Sequence, residues 1–173
     1  MKEMINSFIK PFWDIRRSEW GRVILAFLYF NLTIAAYYIV KTCSRAFFIN
    51  RLGADLIPYV YIVNAILMGI LVYFYSTFAH KRSLHNLVNG SLLCLIMTTV
   101  LFWWGFQYEI KWLPFVFWIW VTFFSAISVT QFWTVTNDIF TKDEASRVYG
   151  IVGAGGLIGG IIGSYLSGAF AEV

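Results

Sequence analysis

Two cations stand one helical turn apart in an apolar stretch of this sequence, where they could hold an anion. The stretch reads YYIVKTCSRAFF, and Lys41 and Arg45 lie in it on the same predicted helix face as Tyr37. Because a charged side chain is expensive in apolar surroundings, such a pair indicates a water-filled cavity or an anionic ligand. The alternative is that both side chains reach a membrane surface, since Lys41 comes roughly 28 Å after Arg22 at about 1.5 Å per residue. The sequence leaves both interpretations open.

Hydroxyl, amide and carboxylate groups collect near the end of a second apolar stretch, SAISVTQFWTVTNDIF. Such groups either bond neighbouring helices or line a solute path, and the sequence does not separate the two roles. Asn64, inside another apolar run, has the same two interpretations. The candidate substrate-binding residues are therefore Tyr37, Lys41, Arg45, Asn64, Gln131 and Asn137.

The turn after this stretch has the spacing of a helix start. TKDE fits a capping box, in which Thr141 bonds a free backbone N–H and Glu144 reaches back. Arg147 follows, and its candidate partners are the acidic residues Asp138, Asp143 and Glu144. A surface pair contributes only about 0–1 kcal/mol, so a gate at this loop is a hypothesis. Its candidate residues are Asp138, Asp143, Glu144 and Arg147.

The stretch YGIVGAGGLIGGIIGSYLSG contains eight glycines in twenty residues. It does not fit a dinucleotide-binding loop, because Ile158 stands where the third glycine belongs and neither a strand pattern nor a P-loop lysine accompanies it. As a helix it carries small residues in rows four apart, which let a neighbouring backbone approach closely. Their contact is either ordinary tight packing or a sliding surface between helices that move. The predicted helix-packing residues are Gly155, Gly156, Gly159, Gly160 and Gly163.

Composition identifies the surroundings of these residues. The 173 residues are 60% hydrophobic and 13% charged, against about 45–50% apolar and about 25% charged in soluble domains. Five nearly uncharged runs of about 18 residues or more can each cross a hydrocarbon core of ~30 Å as a helix, whereas barrel strands would alternate. We therefore predict an all-α membrane protein, with transmembrane helices at about 22–50, 56–79, 86–106, 112–140 and 142–171.

Positive charge predicts the orientation of these helices, because loops rich in Lys and Arg tend to stay in the cytoplasm. Nine basic residues fall on one predicted side: Lys2, Lys10, Arg16, Arg17, Arg22, Lys81, Arg82, Lys142 and Arg147. Only Arg51 and Lys111 fall on the other. The N-terminus is thus expected in the cytoplasm, and residues 1–21 are predicted to lie along its membrane surface as an amphipathic segment before a transmembrane domain of residues 22–173.

Enzyme chemistry is not indicated by the sequence. No nucleophile with a base and no metal-ligand cluster is visible, and Cys43 and Cys94 lack metal-ligand spacing. We expect a non-enzyme without cofactor or metal. Topology accounts for the net charge of +4, so a nucleic-acid polymer is not an expected partner. The expected partners are the lipid bilayer and an anionic small-molecule solute.

A longer stretch carries a family resemblance. QFWTVTNDIFTKDEASRVYGIVGAGG resembles the segment of nucleotide (ATP/ADP-type) exchange translocases in which Phe-Trp, Asn-acid, Asp-Glu-Ala, Arg and an aromatic residue precede a glycine-rich helix. PFWDIRRSEWGR, AAYYIVK and RLGADLIPYVYI also look like bacterial relatives within the major facilitator superfamily. The matching residues are Phe132, Trp133, Asn137, Asp138, Asp143, Glu144, Ala145, Arg147 and Tyr149.

The resemblance implies part of a transporter that exchanges an anionic, nucleotide-like solute by alternating access, in a bacterial inner membrane. Lys41 stands in the basic part of the family's first-helix motif, where this sequence has Ser44 and Arg45 in place of further basic and acidic residues. A facilitator half has six helices, so we expect the five helices to belong to a six-helix half-bundle that further helices or another membrane subunit complete. The alternative is a non-transporting subunit that docks a partner through its glycine-rich fifth helix.

Overall fold

Five long helices make up the part of the chain that the structure describes. The structure is a computed structural model, and it describes residues 16, 17, 19–79, 84–108 and 110–171. Each helix includes a segment that is long and apolar enough to cross a membrane, which confirms the prediction of an all-α, five-helix membrane fold. The helices are α1 (Trp20–Leu52), α2 (Ile57–Ala79), α3 (Leu84–Gly105), α4 (Leu113–Ile139) and α5 (Lys142–Ala171).

The start of α1 differs from the predicted boundary. The helix begins at Trp20, so Trp20 and Gly21, which close the predicted interfacial segment 1–21, are already helical. Residues 1–15 of that segment lie outside the described residues. Its place on the membrane surface, and the cytoplasmic position of the N-terminus, stay predictions.

Glycine and proline account for the end of α1 and for the starts of α2 and α4. Gly53 follows α1 with a φ of 84°, a left-handed conformation that only glycine adopts without strain. Its N–H donates to the carbonyl oxygen of Ile49 at 3.1 Å. A short 3₁₀ turn, Ala54–Leu56, then leads into α2. Pro58 and Pro114 stand in the first turns of α2 and α4, where a missing N–H costs no helical hydrogen bond.

The chain forms two compact units. Of the described residues, those up to Ile39 and those from Val129 onward form unit one, and those between Val40 and Ser128 form unit two. The core of unit one is apolar and aromatic, with the ring of Phe30 stacked on that of Phe132 at 4.2 Å between centroids. Its buried members are Val23, Ala26, Phe30, Phe132, Phe140, Val148, Ile151 and Val152.

Within unit one, α1 and α5 pack along the glycine row. An added Cβ at Gly155 would lie 2.6 Å from the carbonyl oxygen of Phe27, and one at Gly163 would lie 2.5 Å from that of Ala35. A Cβ at Gly159 would collide with the carbonyl oxygen of Asn31. Each pair is 128 positions apart, so the two helices run parallel and stay in register.

The next row on α5 meets side chains and not backbone. A Cβ at Gly156 would run into the ring of Phe30, and one at Gly160 would lie 3.4 Å from the ring of Tyr38. All five glycines that were predicted as helix-packing residues therefore face α1. The Gly155 row is in backbone contact, whereas the Gly156 row contacts aromatic rings.

The core of unit two contains Phe48, Val60 and Trp118, from α1, α2 and α4. The ring of Phe48 lies edge-on to that of Trp118, at 4.9 Å between centroids. Because a short connection joins α1 to α2, Phe48 and Val60 mark one level of an antiparallel helix pair. Farther along, Trp120 Nε1 donates to Thr98 Oγ1 at 3.0 Å and ties α4 to α3.

The backbone contact makes a prediction about two glycines of α5. Gly159→Ala should destabilise the protein by about 1–3 kcal/mol, because the added methyl group overpacks against the backbone of Asn31. Gly153→Ala is the matched control, since nothing lies within 4 Å of its added Cβ, and it should leave stability unchanged or slightly raised. Thermal unfolding in detergent measures both, and equal melting temperatures for the two variants would contradict the contact.

Candidate functional site

Unit one carries a charge cluster, which we define as Glu19, Arg22, Glu144 and Arg147. Arg22 Nη2 donates to Glu144 Oε1 at 2.8 Å, and Arg22 Nη1 donates to the carbonyl oxygen of Ile139 at 3.0 Å. The guanidinium also lies 5.5 Å from the ring centroid of Phe140. A cation is favourable at a helix C-terminus, where carbonyl groups lack helical partners. Arg22 thus attaches the start of α1 to the end of α4 and the start of α5.

Glu19 and Arg147 form the second ion pair of this cluster. Arg147 Nη2 donates to Glu19 Oε1 at 3.2 Å, and the backbone N–H of Arg16 donates to Glu19 Oε2 at 3.2 Å. Glu19 is only 2% exposed. A carboxylate so far out of water depends on its cation and on hydrogen bonds.

The predicted partners of Arg147 were wrong. Arg147 bonds Glu19, whereas Asp138 and Asp143 are exposed and Glu144 pairs with Arg22. The reason is the register of the two helices: Glu19 and Arg147 are 128 positions apart, as are the contacts of the glycine row. Arg147 lies on the same face of α5 as those glycines and therefore points toward α1.

The turn between α4 and α5 has the local structure that its sequence predicts. The backbone N–H of Thr141 donates to Glu144 Oε2 at 2.9 Å, and the N–H of Glu144 donates to Thr141 Oγ1 at 3.4 Å. This is the predicted capping box. One turn earlier, Asn137 Oδ1 accepts a short hydrogen bond from the hydroxyl of Tyr149.

The candidate substrate-binding residues divide between the two units. Tyr37, Gln131 and Asn137 belong to unit one, and Lys41, Arg45 and Asn64 belong to unit two. Gln131 is buried beside the aromatic core, whereas Asn137 is exposed at the end of α4. Neither unit brings all six together.

Tyr37 lines a groove in unit one, which we call the α1–α5 groove. It is an open groove of about 730 Å³ between aromatic side chains of α1 and the glycine face of α5. Its lining includes Phe30, Tyr37, Tyr38, Gly156 and Gly160. The groove is apolar, and its polar groups are hydroxyls, so it suits an uncharged or aromatic body better than an ion.

In unit two, Arg45 is exposed and has no carboxylate partner among the residues that the structure describes. We call its surroundings the Arg45 patch (Lys41, Ser44, Arg45, Tyr61 and Trp118). The guanidinium carbon of Arg45 lies 5.5 Å from the ring centroid of Trp118, and Tyr61 lies edge-on to the same ring at 6.0 Å. Among the described residues, no Asp or Glu lies within salt-bridge distance of Arg45. Lys41 is half-buried one turn earlier on α1.

Beside this patch lies a polar layer, which we define as Ser44, Asn64 and Thr122. Asn64 Nδ2 donates to Thr122 Oγ1 at 3.0 Å, and Thr122 Oγ1 donates to the carbonyl oxygen of Trp118 at 3.2 Å. Ser44 Oγ and Asn64 Oδ1 are buried without a hydrogen-bond partner in the described part of the chain. The sequence indicated Asn64, but it carried no signal for Thr122 or Trp118, which only the packing of α4 brings to the site.

The sequence was compared with known proteins. The sequence model of one protein family, the Major Facilitator Superfamily, matches residues 2–171 of this chain. No curated protein matches the chain, and no solved structure does.

Reversing the charges of the buried ion pair tests the cluster. Glu19→Arg or Arg147→Glu alone should each cost about 3 kcal/mol, the lower end for a broken buried pair, because two like charges then face each other. The double variant Glu19→Arg with Arg147→Glu should recover much of that loss. Unfolding of the four proteins in detergent gives the coupling energy, and simple additivity of the two losses would contradict the pairing.

Proposed function

Because the chain belongs to the Major Facilitator Superfamily, we propose that it works in a secondary transporter that exchanges an anionic, nucleotide-like solute by alternating access. Its five apolar helices make it an integral, multi-pass membrane protein. The anionic character of the solute rests on the Arg45 patch, and its nucleotide character rests on the resemblance of residues 131–156 to exchange translocases. The same resemblance supports a bacterial inner membrane as its location.

The observation that carries the proposal is the arrangement of Arg45 over Trp118. An arginine in an apolar helix is normally neutralised by an acid, and no acid of the described residues reaches this one. An aromatic ring attracts a guanidinium without taking the place of a carboxylate, so the N–H donors of Arg45 are available to an anion. Those donors match two phosphate oxygens at once. An arriving anion would supply the missing negative charge.

Lys41 adds a second positive charge to the same helix face. A flexible ammonium is a point charge, so it follows a phosphate group without imposing a geometry. Together the two cations favour a solute with more than one negative charge, as a nucleotide has.

The proposed gate lies at the charge cluster of unit one. There Glu144 and Arg147 belong to two ion pairs that join α1 to the α4–α5 turn. The two pairs hold neighbouring helix ends in one arrangement. The Arg22–Glu144 pair is partly exposed and open to competition from water, whereas Glu19 of the other pair is buried. Asp138 and Asp143 stay exposed beside them, and we propose that they act as acceptors when the cluster rearranges.

A non-transporting docking subunit is the alternative function. It would offer the glycine-rich face of α5 to a partner, yet the Gly155 row already contacts the backbone of α1. The exposed side of α5 carries Leu157, Ile161 and Tyr165 instead, and large side chains of this kind are equally suited to lipid. The geometry of unit one therefore favours the transporter.

Nucleotide exchange tests the role of Arg45. Full-length protein in liposomes that contain unlabelled ADP should take up labelled ATP, and Arg45→Ala should lower the uptake about tenfold, which corresponds to about 1.4 kcal/mol, because the phosphate loses its fork of donors. Lys41→Ala should lower it as well.

Arg51→Ala is the control for this experiment, since it removes an exposed positive charge from the last turn of the same helix. Its uptake should equal that of the wild type. If Arg45→Ala and Arg51→Ala transport equally well, Arg45 does not bind the solute.

A further inference from the structure

Two buried oxygen atoms of the polar layer make no hydrogen bond in the described part of unit two. Ser44 is 1% exposed and Asn64 is 7% exposed, and neither Ser44 Oγ nor Asn64 Oδ1 has a hydrogen-bond partner in the described part of the chain. An unpaired polar atom in such a place lowers stability, and native proteins rarely keep one without a reason. The two atoms therefore point to a ligand.

The packing of unit two places these residues at one level. Ser44 lies one turn from Phe48, Asn64 one turn from Val60, and Thr122 one turn from Trp118. Phe48, Val60 and Trp118 form a single cluster. Each polar residue lies farther from the connection between α1 and α2 than the cluster residue one turn away from it. The hydrogen bond from Asn64 to Thr122 shows directly that these two residues lie at the same level. The polar layer thus spans α1, α2 and α4 beside Arg45.

Hydrogen bonding determines which chemistry the layer offers. Asn64 commits its Nδ2 to Thr122 Oγ1, and Thr122 commits its proton to the carbonyl oxygen of Trp118. The first of these bonds uses one N–H of Nδ2, and the atom of Asn64 that has no partner in the described part of the chain is the acceptor Oδ1. The hydroxyl of Ser44 can donate or accept. A fully ionised anion has no proton to offer Asn64 Oδ1, whereas a solute hydroxyl or amino group does.

We propose that Ser44 and Asn64 bind a hydrogen-bond-donating group of the solute, next to the anionic group that Arg45 binds. The site then selects hydroxylated or amino-bearing anions over bare inorganic anions of similar charge. This inference rests on the proposed function of the Arg45 patch. Arg45 is exposed and the two oxygens are enclosed, so the anion docks at Arg45 first and the donor group enters when the helices part.

Two probes separate the anion site from the polar layer: ADP, which carries ribose hydroxyls and an amino group, and inorganic pyrophosphate, which lacks them. Binding to the full-length protein in detergent is measured for each probe, together with the melting temperature of the free protein. Wild type should bind ADP about tenfold more tightly than pyrophosphate, the effect of one or two added hydrogen bonds.

Ser44→Ala and Asn64→Leu should bring ADP binding down to the level of pyrophosphate and leave pyrophosphate binding unchanged. Because Ser44 Oγ has no hydrogen-bond partner in the described part of the chain, Ser44→Ala should leave the melting temperature unchanged. Asn64→Leu also removes the hydrogen bond from Nδ2 to Thr122 Oγ1, so it should melt at a lower temperature, and its readout is the lost preference for ADP. Thr98→Val is the control, since it removes a hydrogen-bonded hydroxyl from unit two away from the layer. It should lower the melting temperature and keep the preference for ADP.

The outcomes distinguish this inference from the proposed function. If Arg45→Ala weakens both probes but the two layer variants bind ADP as wild type does, the polar layer is not a subsite and the anion site stands. If the layer variants weaken the binding of both probes equally, their role is structural and the inference is overturned. If wild type binds neither probe, the nucleotide function fails and the subsite fails with it.

Discussion

The close approach of two backbones is the constraint on which unit one depends. Between α1 and α5 the carbonyl oxygens of Phe27, Asn31 and Ala35 lie where side chains of α5 would begin, and only glycine leaves that space free. Lipid provides no hydrophobic drive for helix association, so van der Waals contact and polar bonds must supply it. Asn31 Nδ2 adds such a bond to the carbonyl oxygen of Gly155, at 3.0 Å. A helix pair held this way has a single register along its contact.

The same register determines the electrostatics at the helix starts. Continued by two more turns toward the N-terminus, the row of α1 that contacts the glycines reaches Val23 and Glu19, and the row of α5 reaches Ile151 and Arg147. Glu19 and Arg147 therefore meet as a consequence of glycine packing farther along. Arg22 then joins the adjacent turn through Glu144 and the carbonyl oxygen of Ile139. Backbone packing, ion pairing and the shape of the α4–α5 turn therefore depend on one helix register. A glycine substitution that shifts this register also changes the distance between Glu19 and Arg147.

Unit two is organised differently, by the contrast between an apolar cluster and the polar groups beside it. Phe48, Val60 and Trp118 bring three helices together, and the next turn of each helix carries a polar side chain. Polar atoms inside an apolar span are costly unless they are bonded, and this layer leaves two oxygens unbonded. The neighbouring guanidinium of Arg45 likewise rests on an aromatic ring in place of an acid. The unbonded oxygens and the guanidinium without an acid both lower stability. Their presence is therefore the strongest indication of a solute site in the described part of the chain.

The sequence by itself determined the properties that depend on neighbouring residues. Run length and low charge predicted five membrane-spanning helices, TKDE predicted the capping box of α5, and four-residue spacing predicted which glycines share a face, because helix period and cap chemistry act within a few residues. Only the tertiary structure determined which helix faces pack against each other. The pairing of Arg147 with Glu19, the support of Arg45 by Trp118 and the common level of Ser44, Asn64 and Thr122 all depend on the rotation and register of helices far apart in the chain. Periodicity identifies a face but not its partner, since many registers satisfy the same pattern and backbone packing selects one.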